Sequence, residues 1–307
     1  MFLGIDTSCY TTSVAVVKDG KILADERVIL DVPQGKCGLR QSDGVFLHVR
    51  NFPGLIEKAA EFLPQITAVS VSVCPRRVEG SYMPVFTAGE SFAKTIAASV
   101  GCRLFFQSHQ ENHIAAGIYT TGFDDTDLFL AVHISGGTTE ILLCKKDETG
   151  YITEILGKTL DVSAGQLVDR IGVLGNEAFP AGKHMDIAAK KGDIKLPVSV
   201  KGSNINFSGA ETAAKRMITN ENKHAVYYAV FECVAKSLCK AIDNAIKESG
   251  AKKVLMVGGV SSNSVIRNIL EEKFEERIQF CEPRFSADGA VGNAFLAEKR
   301  WIFGERC

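Results

Sequence analysis

The chain has 307 residues and a net charge of −1, with 23% charged and 46% hydrophobic residues. That length accommodates two ordinary domains or one large one, and the charge balance excludes a disordered acidic or basic protein. It also excludes holding nucleic acid through bulk charge, so any such binding needs a local patch or a partner.

Residues 2–17 (FLGIDTSCYTTSVAVV) read as an apolar strand, a tight polar loop and a second apolar strand, a β-hairpin. Val69–Cys74 is a short β-branched strand, Thr87–Val100 a helix and Arg103–Gln107 a strand, with a helix following from about Ser108. Residues 129–144 (FLAVHISGGTTEILLC) repeat the first hairpin. At an offset of 127 the two segments align without a gap and are identical at Phe2/Phe129, Leu3/Leu130, Ser8/Ser135, Thr11/Thr138 and Thr12/Thr139. Further on, Lys223–Ser249 is a long amphipathic helix closed by Gly250, and Val254–Val257 is a strand running into Gly258-Gly259. Ser261–Phe274 reads as a helix capped by Ser261 or Ser262, and a last helix spans about Ala287–Trp301.

Strands mixed with helices indicate α/β layers, and the echo indicates duplication. We expect two related halves, 1–127 and 128–307, divided at the polar stretch Thr121–Asp127, with the last helix able to pack back on the first half. The nine cysteines are odd in number and form no CxxC pair; Cys9, Cys37, Cys74, Cys102 and Cys144 are scattered, mostly among apolar residues. This fits reduced thiols in a reducing cytosol. Asp6 interrupts the N-terminal apolar run, and no apolar stretch approaches the roughly 18 residues of a membrane span. A soluble cytoplasmic protein without membrane contact is expected.

Two hairpin-led halves imply a cleft. Ser135-Gly136-Gly137, Ala181-Gly182 and Gly258-Gly259 are turns whose backbone N–H groups suit phosphate. Each alone is equally a turn that needs glycine; with the duplication they point to a nucleotide site. His109 and His113 in SHQENHIAAG stand four apart, on one face of a helix that follows a strand, and can share a metal ion or be two surface histidines. His133 is polar where its strand pattern calls for an aliphatic residue. The offset matches it to Asp6, so this position is polar in both halves and suits a cleft-facing role. Asp288 can supply an oxygen ligand or cap the last helix. Imidazole with carboxylate suits Fe, Zn or Mn more than Mg or Ca.

Seven segments, in order, resemble the TsaD family (also called YgjD, formerly the O-sialoglycoprotein endopeptidase or M22 glycoprotease family). They are GIDTSCYTTSVAVV, SHQENHIAAG, ISGGTTEILL, TLDVSAGQLVDRIGVLGNEAFPAGKHMDIAAKKGD, NFSGAETA, VGGVSSNSVIR and FSADGAVGNAFLA. The resemblance implies the actin/hexokinase/Hsp70 (ASKHA) fold, two ribonuclease-H-like halves around a nucleotide cleft. It also implies an acyltransferase that moves the threonylcarbamoyl group of threonylcarbamoyl-adenylate to N6 of adenosine 37 in tRNAs reading codons that begin with A. It places His109, His113 and Asp288 as ligands of one divalent ion, iron or zinc, with His133 where archaeal relatives have a metal-binding tyrosine. Ser135, Gly136 and Gly137 match the loop beside the adenylate and acyl group. Asp169, Gly182, Asp186 and Asn263 match residues that hold ribose and adenine, whether of the acyl-adenylate or of ATP or AMP.

The sequence departs from the family pattern at the cleft. Tyr10 and Thr11 stand where the opening motif carries two acids, Thr138 where the loop has His or Asn, and Arg76 and Arg77 in a loop otherwise rich in Gly and Pro. Two other readings therefore accompany the first: a paralogous carbamoyl-adenylate-dependent transferase with another acceptor, or a non-catalytic partner subunit of the same nucleotide fold. Retained HxxxH and Asp288 weigh against the second of these. For a tRNA acceptor, Lys36, Arg40, Arg50, Arg76 and Arg77 form a candidate patch, and the resemblance implies TsaB-like and TsaE-like partner subunits.

Overall fold

The computed structural model describes residues 1–8, 10–32, 38–125, 128–148, 150–219 and 221–304. The chain opens with the hairpin β1 (Phe2–Asp6) and β2 (Thr11–Lys18), then β3 (Lys21–Ile29), α1 (Gln41–Lys58), β4 (Ala68–Cys74), α2 (Val85–Val100), β5 (Arg103–Ser108) and α3 (His109–Thr121). A second series starts with the hairpin β6 (Phe129–Ile134) and β7 (Thr139–Lys146), then β8 (Tyr151–Lys158), α4 (Ala164–Leu174) and α5 (Gly182–Ala188). A two-stranded ribbon, β9 (Ser199–Lys201) and β10 (Asn204–Asn206), leads to α6 (Ser208–Met217) and α7 (Lys223–Ser249). The chain continues with β11 (Lys253–Val257), α8 (Ser264–Phe274), β12 (Ile278–Phe280), α9 (Pro283–Ser286) and α10 (Val291–Gly304).

The first sheet has the order β3-β2-β1-β4-β5 and the second β8-β7-β6-β11-β12. In each, the hairpin and its third strand are antiparallel and the two crossover strands are parallel to the leader. The repeat extends to register. Phe2 faces Val17 and Asp6 faces Ser13, while Phe129 faces Cys144 and His133 faces Glu140, each pair displaced by 127. A slip of one residue in either hairpin would turn its apolar set to the wrong face, so the gapless echo in sequence corresponds to one shared pairing.

Leaders β1 and β6 are buried along their whole length, which is why they read as continuous apolar runs rather than alternating ones. Helices α1 and α2 cover one face of the first sheet, and α7 anchors the largest core against the second. Between the sheets lie α3 and α10, packed on each other, with α10 also against β1, β2 and β4. Gly4 and Gly292 allow this. A Cβ at Gly4 would sit 2.6 Å from the Ala294 amide nitrogen, and one at Gly292 would overlap the Asn112 carbonyl.

Two expectations are corrected. Helix α8 starts at Ser264 with Asn263 as its cap, and Ser261 and Ser262 lie in a short 3-10 turn. Gly258 (φ 92) starts that turn, which delays the helix until the Asn263 side chain can accept from the Ile266 amide at 2.9 Å. The last helix begins at Val291, not Ala287, and runs to Gly304; Ala287 is extended (ψ 165), and Asp288 is drawn toward α3 instead of capping. Residues 126 and 127, where the two halves were expected to divide, lie outside the described residues, as do Cys9, Lys36 and Cys37. Among the described residues no helix is long and apolar enough to cross a membrane.

Candidate metal centre and cleft

Ser108 ends β5 and caps α3 reciprocally: its hydroxyl accepts from the Glu111 amide at 3.2 Å, and the Glu111 carboxylate accepts from the Ser108 amide at 2.8 Å. Every residue from His109 to Ile118 is buried. A polar side chain in such a position is costly unless bonded, and each of the five consecutive polar residues is. His109 Nδ1 meets Asp6 Oδ2 at 3.1 Å, and Gln110 Nε2 donates to Glu140 Oε2 at 2.8 Å. Glu111 accepts from Arg77 Nε at 2.6 Å. Asn112 Nδ2 donates to Asp6 Oδ2 at 2.8 Å and to the Gly289 carbonyl at 2.6 Å. His113 Nε2 lies 3.0 Å from His109 Nε2.

The centre closes around α3. Asp288 Oδ1 is 3.4 Å from His109 Nε2 and 3.3 Å from His113 Nε2. His133, at the carboxyl end of β6, brings the donor atoms of three buried histidines within 4.8 Å of one another. Donors about 2.1 Å from one ion lie about 3 Å apart, which matches the spacing of the two Nε2 atoms and the Asp288 oxygen. Both ring nitrogens of His133 are buried without a hydrogen-bond partner among the described residues, an expense that a bound cation would relieve at the nitrogen facing it. The residues present therefore fit a transition-metal ion with nitrogen and oxygen ligands.

The protonation pattern agrees. Burial pulls His109 down, but the Asp6 and Asp288 carboxylates outweigh it and hold the imidazole up to about 10. Burial and the charge on His109 lower His113, and burial drives His133 well below its ordinary value. For Asp6 and Asp288 burial acts upward, yet the neighbouring histidines hold both carboxyls below the usual range. A cation bound here would take the place of the His109 proton, because a ligating imidazole is neutral. Asp6 orients the ring: with Nδ1–H directed at the carboxylate, Nε2 faces the cluster.

Sequence reasoning singled out Asp6 only as the counterpart of His133, and it missed the layer around it. Asp6 also accepts from the Ser8 amide and from Ser72 Oγ, both at 2.7 Å. Asn293 Nδ2 donates to Ser72 Oγ at 2.9 Å and to the Ile5 carbonyl at 2.8 Å. The available signal was serine alternating inside the apolar strand AVSVSVC, which is buried on both sides around Ser70 and Ser72.

The Ser135–Thr138 loop joins β6 to β7. Its ends are tied by Ser135 N to Thr138 O at 2.8 Å, and Ser163 Oγ at the head of α4 donates to the Gly136 carbonyl at 2.8 Å. Gly136 and Gly137 are exposed, with open space where a side chain would stand. Around α5, Asp169 accepts from the Ala181 amide at 2.8 Å, one residue before Gly182. Asp186 accepts from the Ser264 amide at 2.9 Å and its hydroxyl at 2.7 Å, beside Asn263. Asn263 Nδ2 is buried with no partner among the described residues.

Burial raises the Asp169 carboxyl to about 6. A folded value above the unfolded one of 3.8 means that its contribution to stability is fully present below that pH and is lost as pH rises through about 6. Thermal melts of Asp169→Asn against wild type between pH 5 and 7.5 are expected to show the variant gaining relative stability as pH rises.

Two of the departures, Tyr10 and Arg76, reach across the cleft, and Arg77 pairs within the first half. Tyr10 meets Phe179 edge-on at 5.5 Å between ring centroids. Arg76 pairs with Glu140, and Arg77 with Glu111. Both guanidinium groups nevertheless stay in part at the surface, with side chains 37% and 53% exposed. Arg40 and Arg50 are exposed, at the head of α1 and within it.

A sequence profile of the TsaD family, described as tRNA N6-adenosine threonylcarbamoyltransferase, matches residues 47–295. The chain belongs to the TsaD family. A relative of that name from Saccharolobus islandicus is 30% identical over 322 residues, covering 99% of this chain and 93% of the relative. Another, from Thermosipho africanus, is 29% identical over 323 residues, covering 98% and 94%. Among solved structures, HypF of T. kodakarensis is similar with a TM-score of 0.66 at 15% identity, covering 99% of this chain and 48% of that one. A ROK family glucokinase from Streptomyces griseus gives a TM-score of 0.56 at 15% identity, covering 97% and 99%. At that identity the likeness speaks to the fold, which is the ASKHA fold of actin, hexokinase and Hsp70. As a member of the TsaD family the protein is an enzyme, a transferase of tRNA modification.

Proposed function

We propose that this chain transfers the threonylcarbamoyl group of threonylcarbamoyl-adenylate to N6 of adenosine 37 in tRNAs reading codons that begin with A. In this reading His109, His113 and Asp288, joined by His133, hold one divalent ion, iron or zinc. The observation that carries it is the buried three-histidine cluster against Asp288, with His133 lacking a hydrogen-bond partner among the described residues, in a chain of this family. When bound, the ion supplies Lewis-acid polarisation of the acyl carbonyl.

The chain's own residues bind and orient. Asp6 fixes the His109 ring, Ser72 and Asn112 fix Asp6, and Asn293 fixes Ser72. The Ser135-Gly136-Gly137 turn offers open backbone to the adenylate phosphate. Asp169, Gly182, Asp186 and Asn263 take the ribose and adenine, and the unpartnered Asn263 amide is a donor suited to a ring nitrogen or a ribose oxygen. N6 attacks the carbamoyl carbon, the C–N bond forms, the bond to the phosphate oxygen breaks and AMP leaves with the electron pair, while N6 gives up its proton to solvent. The acyl group arrives activated, so no covalent nucleophile is assigned and positioning supplies much of the rate.

The two halves, 1–127 and 128–307, form the cleft. The acceptor is held by Arg40 and Arg50, with Lys36, together with TsaB-like and TsaE-like subunits in the cytoplasm. Expression of this chain in a host depleted of its own TsaD is expected to restore N6-threonylcarbamoyladenosine in tRNA, measured by mass spectrometry of digested nucleosides. Soluble expression with compatible partners and no restoration would contradict the reading.

A further inference from the structure

Arg76 and Arg77 are neighbours in the loop after β4, yet their guanidinium groups are used differently. Arg77 has its Nε–Nη2 edge occupied: Nε on Glu111 at 2.6 Å, and Nη2 on the Phe106 carbonyl at 3.0 Å and Gln107 Oε1 at 3.1 Å. Arg76 is anchored through Nη1 alone, on Glu140. Its Nε and Nη2 have no hydrogen-bond partner among the described residues, and its side chain is 37% exposed against 5% for Glu140.

The anchor places that guanidinium at the rim of the metal centre. Glu140 is the cross-strand partner of His133, so the two side chains share a face with Cβ atoms about 5 Å apart. The second Glu140 oxygen is held by Gln110 Nε2 at 2.8 Å, next in sequence to His109. The loop that carries Arg76 is fixed by Gln110 N to the Pro75 carbonyl at 3.0 Å and by Arg76 N to Ser81 Oγ at 3.3 Å. A guanidinium held by one nitrogen presents its remaining edge as a fork matched to two oxygens of a carboxylate or phosphate.

We propose that Arg76 is an anion-recognising residue of the cleft, binding two oxygens of the substrate's anionic group through its Nε–Nη2 edge while Glu140 and Gln110 position it. The inference rests on the acyl-adenylate reading above. Such a substrate carries two anions, the phosphate and the acyl carboxylate, and both present the same pair of oxygens to a guanidinium. Arg76 is supplied by the first sheet and Glu140 by the second, so an anion bound there ties the two sides of the cleft together.

The test is calorimetric titration of the metal-loaded protein with two probes that each carry one of the anions: AMP for the phosphate and N-carbamoyl-L-threonine for the carboxylate. Arg76→Ala is expected to weaken one probe by about 10- to 100-fold and leave the other within about 2-fold, and the affected probe identifies the anion. Arg76→Lys keeps the charge without the fork and is expected to fall between Arg76→Ala and wild type. Arg77→Ala, which removes a guanidinium whose Nε–Nη2 edge is already occupied by protein groups, is expected to lower the melting temperature without changing either affinity. Wild-type affinity of Arg76→Ala for both probes would overturn the proposal and leave Arg76 a structural bridge. If the wild-type protein bound neither probe, the acyl-adenylate reading would fall, and the proposal with it.

Discussion

A His109→Ala/His113→Ala protein is expected to lose its bound iron or zinc and to form N6-threonylcarbamoyladenosine about 1000-fold more slowly, the equivalent of about 4 kcal/mol of Lewis-acid and positioning stabilisation. Elemental analysis of the purified protein and nucleoside mass spectrometry check the two parts. The histidines are not equivalent as probes of the site. His109 also contacts buried Asp6, so its loss leaves that carboxylate without its cationic partner. Among the described residues, His113 Nε2 has polar partners only in His109 and Asp288. His113→Ala alone is therefore expected to lose most of the metal while changing the melting temperature little. Metal content unchanged in the double variant would refute the assignment.

Asp6→Asn is the second large effect, and it acts on fold and site together. The carboxylate is fully buried and receives Ser8, Ser72, Asn112 and His109. Removing one partner of a buried ion pair costs about 3–5 kcal/mol, so the melting temperature is expected to drop by about 10 °C. Loosening of the His109 ring is expected to weaken metal binding about 10- to 100-fold. The pH dependence has a definite sign. In wild type the His109 value is raised from 6.5 to about 10. Its stabilisation is present in full below the unfolded value and is lost as pH rises through the folded one. With metal removed by a chelator, wild-type melting temperature is expected to fall between pH 7 and 10, while Asp6→Asn, which keeps only Asp288 beside His109, is expected to fall less over that range.

Parts of this site are legible in the sequence because they are local. The i, i+4 spacing of His109 and His113 is a helical-face signal, and Ser108 with Glu111 is a capping box written in four residues. The hairpin echo is legible because strand pairing at a fixed offset preserves both the alternation and the loop. The partners of these residues are not local. His109 and Asp6 are 103 residues apart, and Arg76 and Glu140 are 64 apart, and no periodicity announces such pairs. His109 and His113 read from sequence as sharing a metal ion or as two surface histidines, and it is the placing of α3 between two sheets that buries the run and gives each side chain a partner. Cap positions failed for a related reason. Ser261, Ser262 and Asn263 are all competent N-caps, and the Gly258 turn decides among them. The start of α10 is decided by Asp288, which turns to α3 and leaves residues 287–290 outside the helix.

The claim that joins fold, metal centre and family is acyl transfer to tRNA. Metal-loaded protein, incubated with TsaB-like and TsaE-like subunits, threonylcarbamoyl-adenylate and an unmodified tRNA reading an A-starting codon, is expected to yield N6-threonylcarbamoyladenosine at position 37 together with AMP. AMP release without the modified nucleoside, or an acyl-adenylate left intact beside folded, metal-loaded protein, would contradict it.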